Sequence, residues 1–278
     1  MSLLLWLFVP FAVTAMTAGG RQRHEARRQR PAPRELVRRA LVVLPAHPDQ
    51  RAQLRTIARV LDTDPRVDVL VVESSTGAPA GVDEVSPRVT VLRQPGVTTD
   101  TEALQVGAAR GLLHGYDAVV ELAVRHSHLA RRITALLEAL DDGAHVAVGS
   151  RYTPGGRVIG CPYARRIVSR GVNAALRLLT GAPVSDVTAP VRVYRREAVE
   201  RALLPATGVD RALGVDVMLR CRDTGLRVTE VPVTVAGPLC AALTAAGGRA
   251  LVARAVRPRR RVDVAPAVID LTGSAAGV

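Results

Sequence analysis

Short runs of branched aliphatic residues recur along this chain from Leu41 onward, separated by segments of helical length, and no other feature restricts the fold as much. The runs are "LVVLP" from Leu41, "VDVLVVE" from Val67 to Glu73, "VTVLRQ" from Val89 to Gln94, "VVELAV" from Val119 and "HVAVGS" from His145 to Ser150. Runs that are apolar throughout suit strands covered on both faces, as in parallel sheets. Between them, Asp49 to Leu61, Thr101 to His114 and a segment ending at Leu140 carry apolar residues at helical spacing. Tyr163 to Thr180 and Arg211 to Thr224 read as further helices, and "LRVTEVPVTV" as a late strand. Alternation of this kind predicts an α/β fold, a Rossmann-like, mostly parallel sheet with helices on both faces. Gly107, Gly111 and Gly115 lie four apart on one helix face, a spacing for close packing and not a dinucleotide fingerprint.

An N-terminal hydrophobic segment precedes this region. "SLLLWLFVPFAVTAMTA", Ser2 to Ala18, just reaches the ~30 Å of a hydrocarbon core at ~1.5 Å per residue. It lacks a basic stretch before it, which argues against an ordinary cleaved signal, and arginines crowd its C-terminal side. The expectation is a membrane anchor over residues 1–20 and a basic juxtamembrane linker over 21–39, with the globular domain on the cytoplasmic side; a cleaved signal or an interfacial helix are the alternatives. The folded domain is then 40–257, and 258–278 is a tail without clear periodicity.

The formal net charge is +13, from 38 basic against 25 acidic residues, and every basic residue is arginine. Either a phosphate-rich partner or a general preference for arginine over lysine accounts for that. Without lysine there is no Walker-type phosphate loop and no lysine Schiff base. Three scattered cysteines, Cys161, Cys221 and Cys240, suggest neither a zinc ribbon nor a disulfide framework. Nucleic acid is not an expected partner, because no helix-turn-helix, zinc motif or stacking aromatics accompany the charge.

Ligands of parallel α/β sheets sit at the carboxyl ends of the strands. "PAHPD", "ESSTG" and "AVRHSH" occupy such ends here. The most distinctive stretch is "GSRYTPGG", Gly149 to Gly156, followed by "RVIGCPYARRIVSRGVN" and "PVSDVTAPVRVYRRE". Over Leu41 to Val256 the chain resembles the polyprenyl-phosphate (dolichol-phosphate) mannose synthases, family 2 glycosyltransferases of the GT-A fold. Those enzymes read GSRY-x-x-GG, then SR, S and N on a helix, then D-x-T-G-[FY]-R.

The resemblance implies sugar transfer from a nucleotide sugar to a polyprenyl phosphate. It assigns the acceptor phosphate to Arg151, Arg165 and Ser169, all present. It also implies a magnesium or manganese ion held by two aspartates in "VVxMDADxSH", but this chain has "VVELAVRHSH", with Ala123 and Arg125 at those positions. No metal cofactor is therefore expected, since His126 and His128 alone make no site and Ser127 reads as a helix cap. Other positions on the nucleotide-sugar side have drifted too. Pro45 and Asp49 remain of P-x-Y-N-E, Glu73 and Ser74 replace paired aspartates, Val97 replaces a loop lysine, and "PLCAALTA" replaces R-x-x-G-x-S-K-M. Two readings follow: a metal-independent transferase in which Arg125 takes the place of the metal charge, or a membrane-attached pseudoenzyme that binds lipid phosphate or a partner protein and has lost the nucleotide sugar.

Overall fold

The computed structural model describes residues 35–73, 85–208 and 211–236. The expected anchor, most of the linker, the tail, Ser74, Cys240 and the "PLCAALTA" segment lie outside those residues.

Seven strands form one mixed sheet in the order β3-β2-β1-β4-β7-β5-β8. They are β1 (Ala40–Pro45), β2 (Val67–Glu73), β3 (Val89–Arg93), β4 (Ala118–Leu122), β5 (Val146–Ser150), β7 (Val191–Arg195) and β8 (Val228–Pro232). All neighbours run parallel except β7, which is antiparallel to both β4 and β5. A separate parallel pair joins β6 (Arg157–Ile159) to β9 (Thr234–Ala236). The single late strand expected over "LRVTEVPVTV" is thus two strands in two sheets.

The longer helices among the described residues are α1 (Gln50–Leu61), α2 (Asp100–Leu113), α3 (Ile133–Asp141), α4 (Tyr163–Thr180) and α5 (Arg211–Thr224). Alternate residues of β1 serve opposite faces. Leu41 and Val43 pack with Ala103, Leu104 and Ala108 of α2, and Met218 of α5 belongs to the same cluster. Val42 and Leu44 share the other cluster with Ile57 and Val60 of α1 and Leu136, Leu137 and Leu140 of α3. A strand buried on both sides must be apolar throughout, which is why its sequence shows no alternation.

The glycine row seats α2. A Cβ on Gly107 would lie 2.5 Å from Val43 Cγ1, and one on Gly111 3.1 Å from Leu41 Cδ2, so both glycines let the helix axis approach β1. Gly115 serves differently. At φ +75 it turns the chain after the helix, a conformation natural to glycine.

β7 carries Arg192 and Tyr194 into the sheet, and both are buried. Arg192 lies opposite Glu121 of β4 and donates to both of its carboxylate oxygens, at 3.0 and 3.1 Å. Tyr194 donates to the same carboxylate at 2.5 Å, and burial first, then that carboxylate, raises its phenol well above the usual range. Gly214 of α5 makes room, since a Cβ there would lie 2.3 Å from Arg192 Nη2.

Candidate active site at the carboxyl rim

The parallel strands bring Pro45, Glu73, Ala123 and Arg151 to one rim, each at or just beyond the end of its strand. Pro45 closes β1 in register with Val72. Asp49 follows and caps α1, accepting from the Ala52 N–H at 3.0 Å. That bond, ahead of other causes, holds its carboxyl below the usual range. Glu73 is buried at the end of β2, with one oxygen 3.6 Å from Arg93 Nε and the other without a hydrogen-bond partner among the described residues. The segment aligned with a lysine-glycine loop closes on itself instead. Thr99 accepts from the Glu102 N–H at 3.1 Å while the Glu102 carboxylate accepts from the Thr99 N–H at 3.0 Å, a capping box at the start of α2.

After β4 the chain makes a 3₁₀ stretch, Val124–Arg132, before α3, where the sequence suggested one continuous helix. Its cap position is Ala123, so Ser127 is not a cap; its hydroxyl accepts from Arg59 Nη1 at 2.9 Å. The Arg125 side chain is 55% exposed and pairs with the equally open Asp100 at 3.3 Å. His126 is buried, and His128 Nε2 accepts weakly from the Ala236 N–H at 3.5 Å. A divalent ion does not fit this end. Ala123 has no donor atom, Arg125 is a cation, and no cluster of three His, Cys, Asp or Glu exists among the described residues. A guanidinium ~4 Å from such an ion would repel it by about 8 kcal/mol at an effective dielectric of 20.

The other side of the rim is tightly tied. Arg151 follows β5 and is buried against Asp186, which is fully buried. Its Nε and Nη2 donate to the two Asp186 oxygens at 2.7 Å each, and its main-chain N–H adds a bond of 2.9 Å. Nη2 also reaches the Thr188 hydroxyl at 2.9 Å. Thr188 exchanges hydrogen bonds with Asn173 of α4, whose amide also donates to the Ser169 carbonyl. Glu230 of β8 accepts from the Ser185 hydroxyl at 2.7 Å and the Asp186 N–H at 3.1 Å. Three separated motifs, "GSRY", the helix "SRGVN" and "DVT", therefore meet in one network.

Of the three expected acceptor residues, Arg165 and Ser169 share α4. Ser169 Oγ accepts from the Tyr152 hydroxyl at 2.7 Å, and Arg165 is exposed. Arg151 has its fork on Asp186. The sequence reading passed over Arg170 and Arg177, which line a cavity with Tyr152, Ala174, Leu178 and Ser185. Their spacing of seven on a helix with an apolar outer face was the available signal.

The mixed sheet, with one antiparallel strand between two parallel ones, defines a glycosyltransferase-type GT-A fold. Glucosyl-3-phosphoglycerate synthase of Mycobacterium tuberculosis, solved with phosphoglyceric acid, superposes with a TM-score of 0.56 at 19% identity, covering 80% of this chain and 81% of that one. Polyprenol monophosphomannose synthase of Mycolicibacterium smegmatis is 33% identical over 220 residues, 77% of this chain and 83% of that protein. Undecaprenyl-phosphate mannosyltransferase of Micrococcus luteus is 30% identical over 204 residues, 70% and 83% of the two chains. No family model matches the chain. On these relatives the chain belongs to the polyprenyl-phosphate mannose synthase family.

Proposed function

We propose that the protein transfers a sugar from a nucleotide sugar to a polyprenyl phosphate without a divalent metal, with the Arg125 guanidinium facing the leaving diphosphate. The acceptor phosphate is already ionised. One of its oxygens bonds to C1 of the sugar as the bond from C1 to the diphosphate breaks, and no strong base is required. What the step needs is a cation where charge grows on the leaving group. The observation that carries the reading is Arg125 itself, half-exposed on the rim after β4. An arginine fork suits phosphate oxygens, and its open pair with Asp100 exchanges at little cost. The test is transfer to polyprenyl phosphate in nanodiscs from a panel of nucleotide hexoses. Activity unchanged by EDTA and cut roughly 100-fold or more by Arg125→Ala is the expected result. A requirement for magnesium or manganese overturns it.

A second reading, a pseudoenzyme that holds lipid phosphate or a partner protein, is favoured by the internal use of the remaining rim groups. Asp49 and Thr99 cap helices, and Glu73 is buried beside Arg93. Calorimetry separates the two: nucleoside diphosphates and nucleotide sugars that give no heat, with lipid phosphate still bound, select the second.

Both readings place the protein at a membrane, with the domain on the cytoplasmic side. Supporting this, α4 turns Tyr163 (71% exposed), Ile167 (54%) and Val168 (50%) outward among Arg165, Arg166 and Arg170. A basic helix with an apolar outer face suits the headgroup layer. Among the described residues no helix is long and apolar enough to cross a membrane, and the run Ser2 to Ala18 lies outside them. The full chain should stay in the membrane pellet after carbonate and high-salt washing. Release by salt alone would reduce attachment to an electrostatic contact.

A further inference from the structure

His145 stands directly before β5, at the end of the sheet opposite the rim, and is buried. Its main chain is tied on both sides. The His145 N–H donates to the Arg227 carbonyl at 2.8 Å, and the Arg195 N–H donates to the His145 carbonyl at 2.8 Å. The side chain adds a second link to Arg227, whose N–H donates to Nδ1 at 3.0 Å. Arg227 immediately precedes β8, which lies at the edge of the sheet with β5 as its neighbour. An imidazole thus takes the place of a main-chain acceptor at the start of an edge strand.

Accepting at Nδ1 leaves the proton of the neutral ring on Nε2, 3.3 Å from Glu197 Oε2. A second proton can add only at Nδ1, where it would face the Arg227 N–H, two donors with no acceptor between them. The imidazolium and this bond to Arg227 are therefore mutually exclusive. Burial is the largest influence against the imidazolium, Arg195 of β7 and Arg201 oppose it as well, and Glu197 favours it. Glu197 is divided, because its other oxygen holds Arg201 at 2.9 Å. Arg195 places its guanidinium on the carbonyls of Glu35 and Leu140, and Asp141 at the end of α3 is taken by Arg66 and the Val37 N–H. The sum holds the ring's proton affinity below the usual histidine range. The bond's contribution is complete above the ordinary value near 6.5 and is lost as pH falls through the lowered one.

Three residues beyond Arg227, ~10 Å along the strand, Glu230 accepts from the Ser185 hydroxyl and the Asp186 N–H. We propose that His145 is an acid-sensitive latch on β8. As a neutral imidazole it holds the start of the strand beside β5. On taking a proton at Nδ1 it releases that start and loosens the support that Glu230 gives to Asp186.

The test is amide hydrogen exchange by NMR on the full chain in detergent, with intrinsic rates divided out and the histidine ring nitrogens followed in the same samples. Between about pH 7 and pH 5, protection at Arg227 should fall roughly tenfold or more and that at Asp186 should follow, while Val42 of β1 stays protected. His145→Asn keeps an acceptor near the place of Nδ1 but gains no proton, so protection at Arg227 should become independent of pH. Glu197→Gln removes the carboxylate that favours the imidazolium and should move the transition to lower pH. Constant protection at Arg227 while the His145 ring titrates overturns the latch, as does a ring that stays neutral down to pH 5 or carries its proton on Nδ1 at neutral pH. A transition at Arg227 that persists in His145→Asn assigns the release to another group and overturns it too. An Asp186 amide that stays protected while Arg227 opens overturns the coupling through Glu230.

Discussion

The two sides of the rim handle charge in opposite ways. After β5, the guanidinium of Arg151 is buried on a carboxylate that no water reaches, and Asn173, Thr188 and Glu230 complete its surroundings. After β4, Arg125 and Asp100 meet in the open, each side chain more than half exposed. The motifs that resemble the family most closely are those that tie the chain together, whereas Arg125, at a drifted position, is held only by an open ion pair. A retained motif is thus ambiguous between ligand binding and folding until its partners are known.

Substitutions should separate the two sides. Removing the partner of a buried charge is the most damaging change, so Asp186→Ala should lower stability by about 3–5 kcal/mol in urea unfolding. A loss below about 1 kcal/mol would mean that the network is solvated and the contrast false. On the other side, Thr99→Ala removes one half of the capping box and should cost about 1 kcal/mol, read as a lower melting temperature. Asp100→Ala should cost less still, about 0–1 kcal/mol, with the residual effect fading at high salt.

Acid gives the smallest effect. Hydrogen bonding lowers the Asp49 carboxyl below its unfolded value, so its contribution is present above the ordinary carboxylate range near pH 4 and disappears as pH falls through the lowered value. Wild type and Asp49→Asn should therefore differ in the slope of stability between about pH 5 and pH 3 and run parallel above it. Parallel curves throughout would show that the cap does not titrate.

Much of the architecture was legible because it depends on local pattern. β2, α4 and α5 fall on the residues that spacing suggests, and Gly107 and Gly111 give the close packing expected of them, while Gly115 makes a turn instead. β7 was not read as a strand, since "VRVYR" places two arginines and a tyrosine where an inner strand should be apolar. Arg192 and Tyr194 are tolerated because Glu121, on the neighbouring strand and directly opposite Arg192, accepts from both, and Arg195 because the carbonyls of Glu35 and Leu140 accept from its guanidinium. Arg151 poses the same problem, with a partner 35 residues away. A charge read from sequence carries no sign of whether it will be paired, and that was the difference between a phosphate ligand and an internal tie.

The position of β7 also has a consequence for the order of assembly during synthesis. β1 to β4 form a contiguous set whose hydrogen-bonded neighbours, β7 apart, all lie within residues 40–122. β5 has no such neighbour, because its two flanks are supplied by residues 191–195 and 228–232. As the ribosome extends the chain from its N-terminus, the apolar segment at 146–150 must wait, with both edges open, while more than forty further residues are added. During that interval an apolar strand with two unpaired edges is open to pairing with another chain.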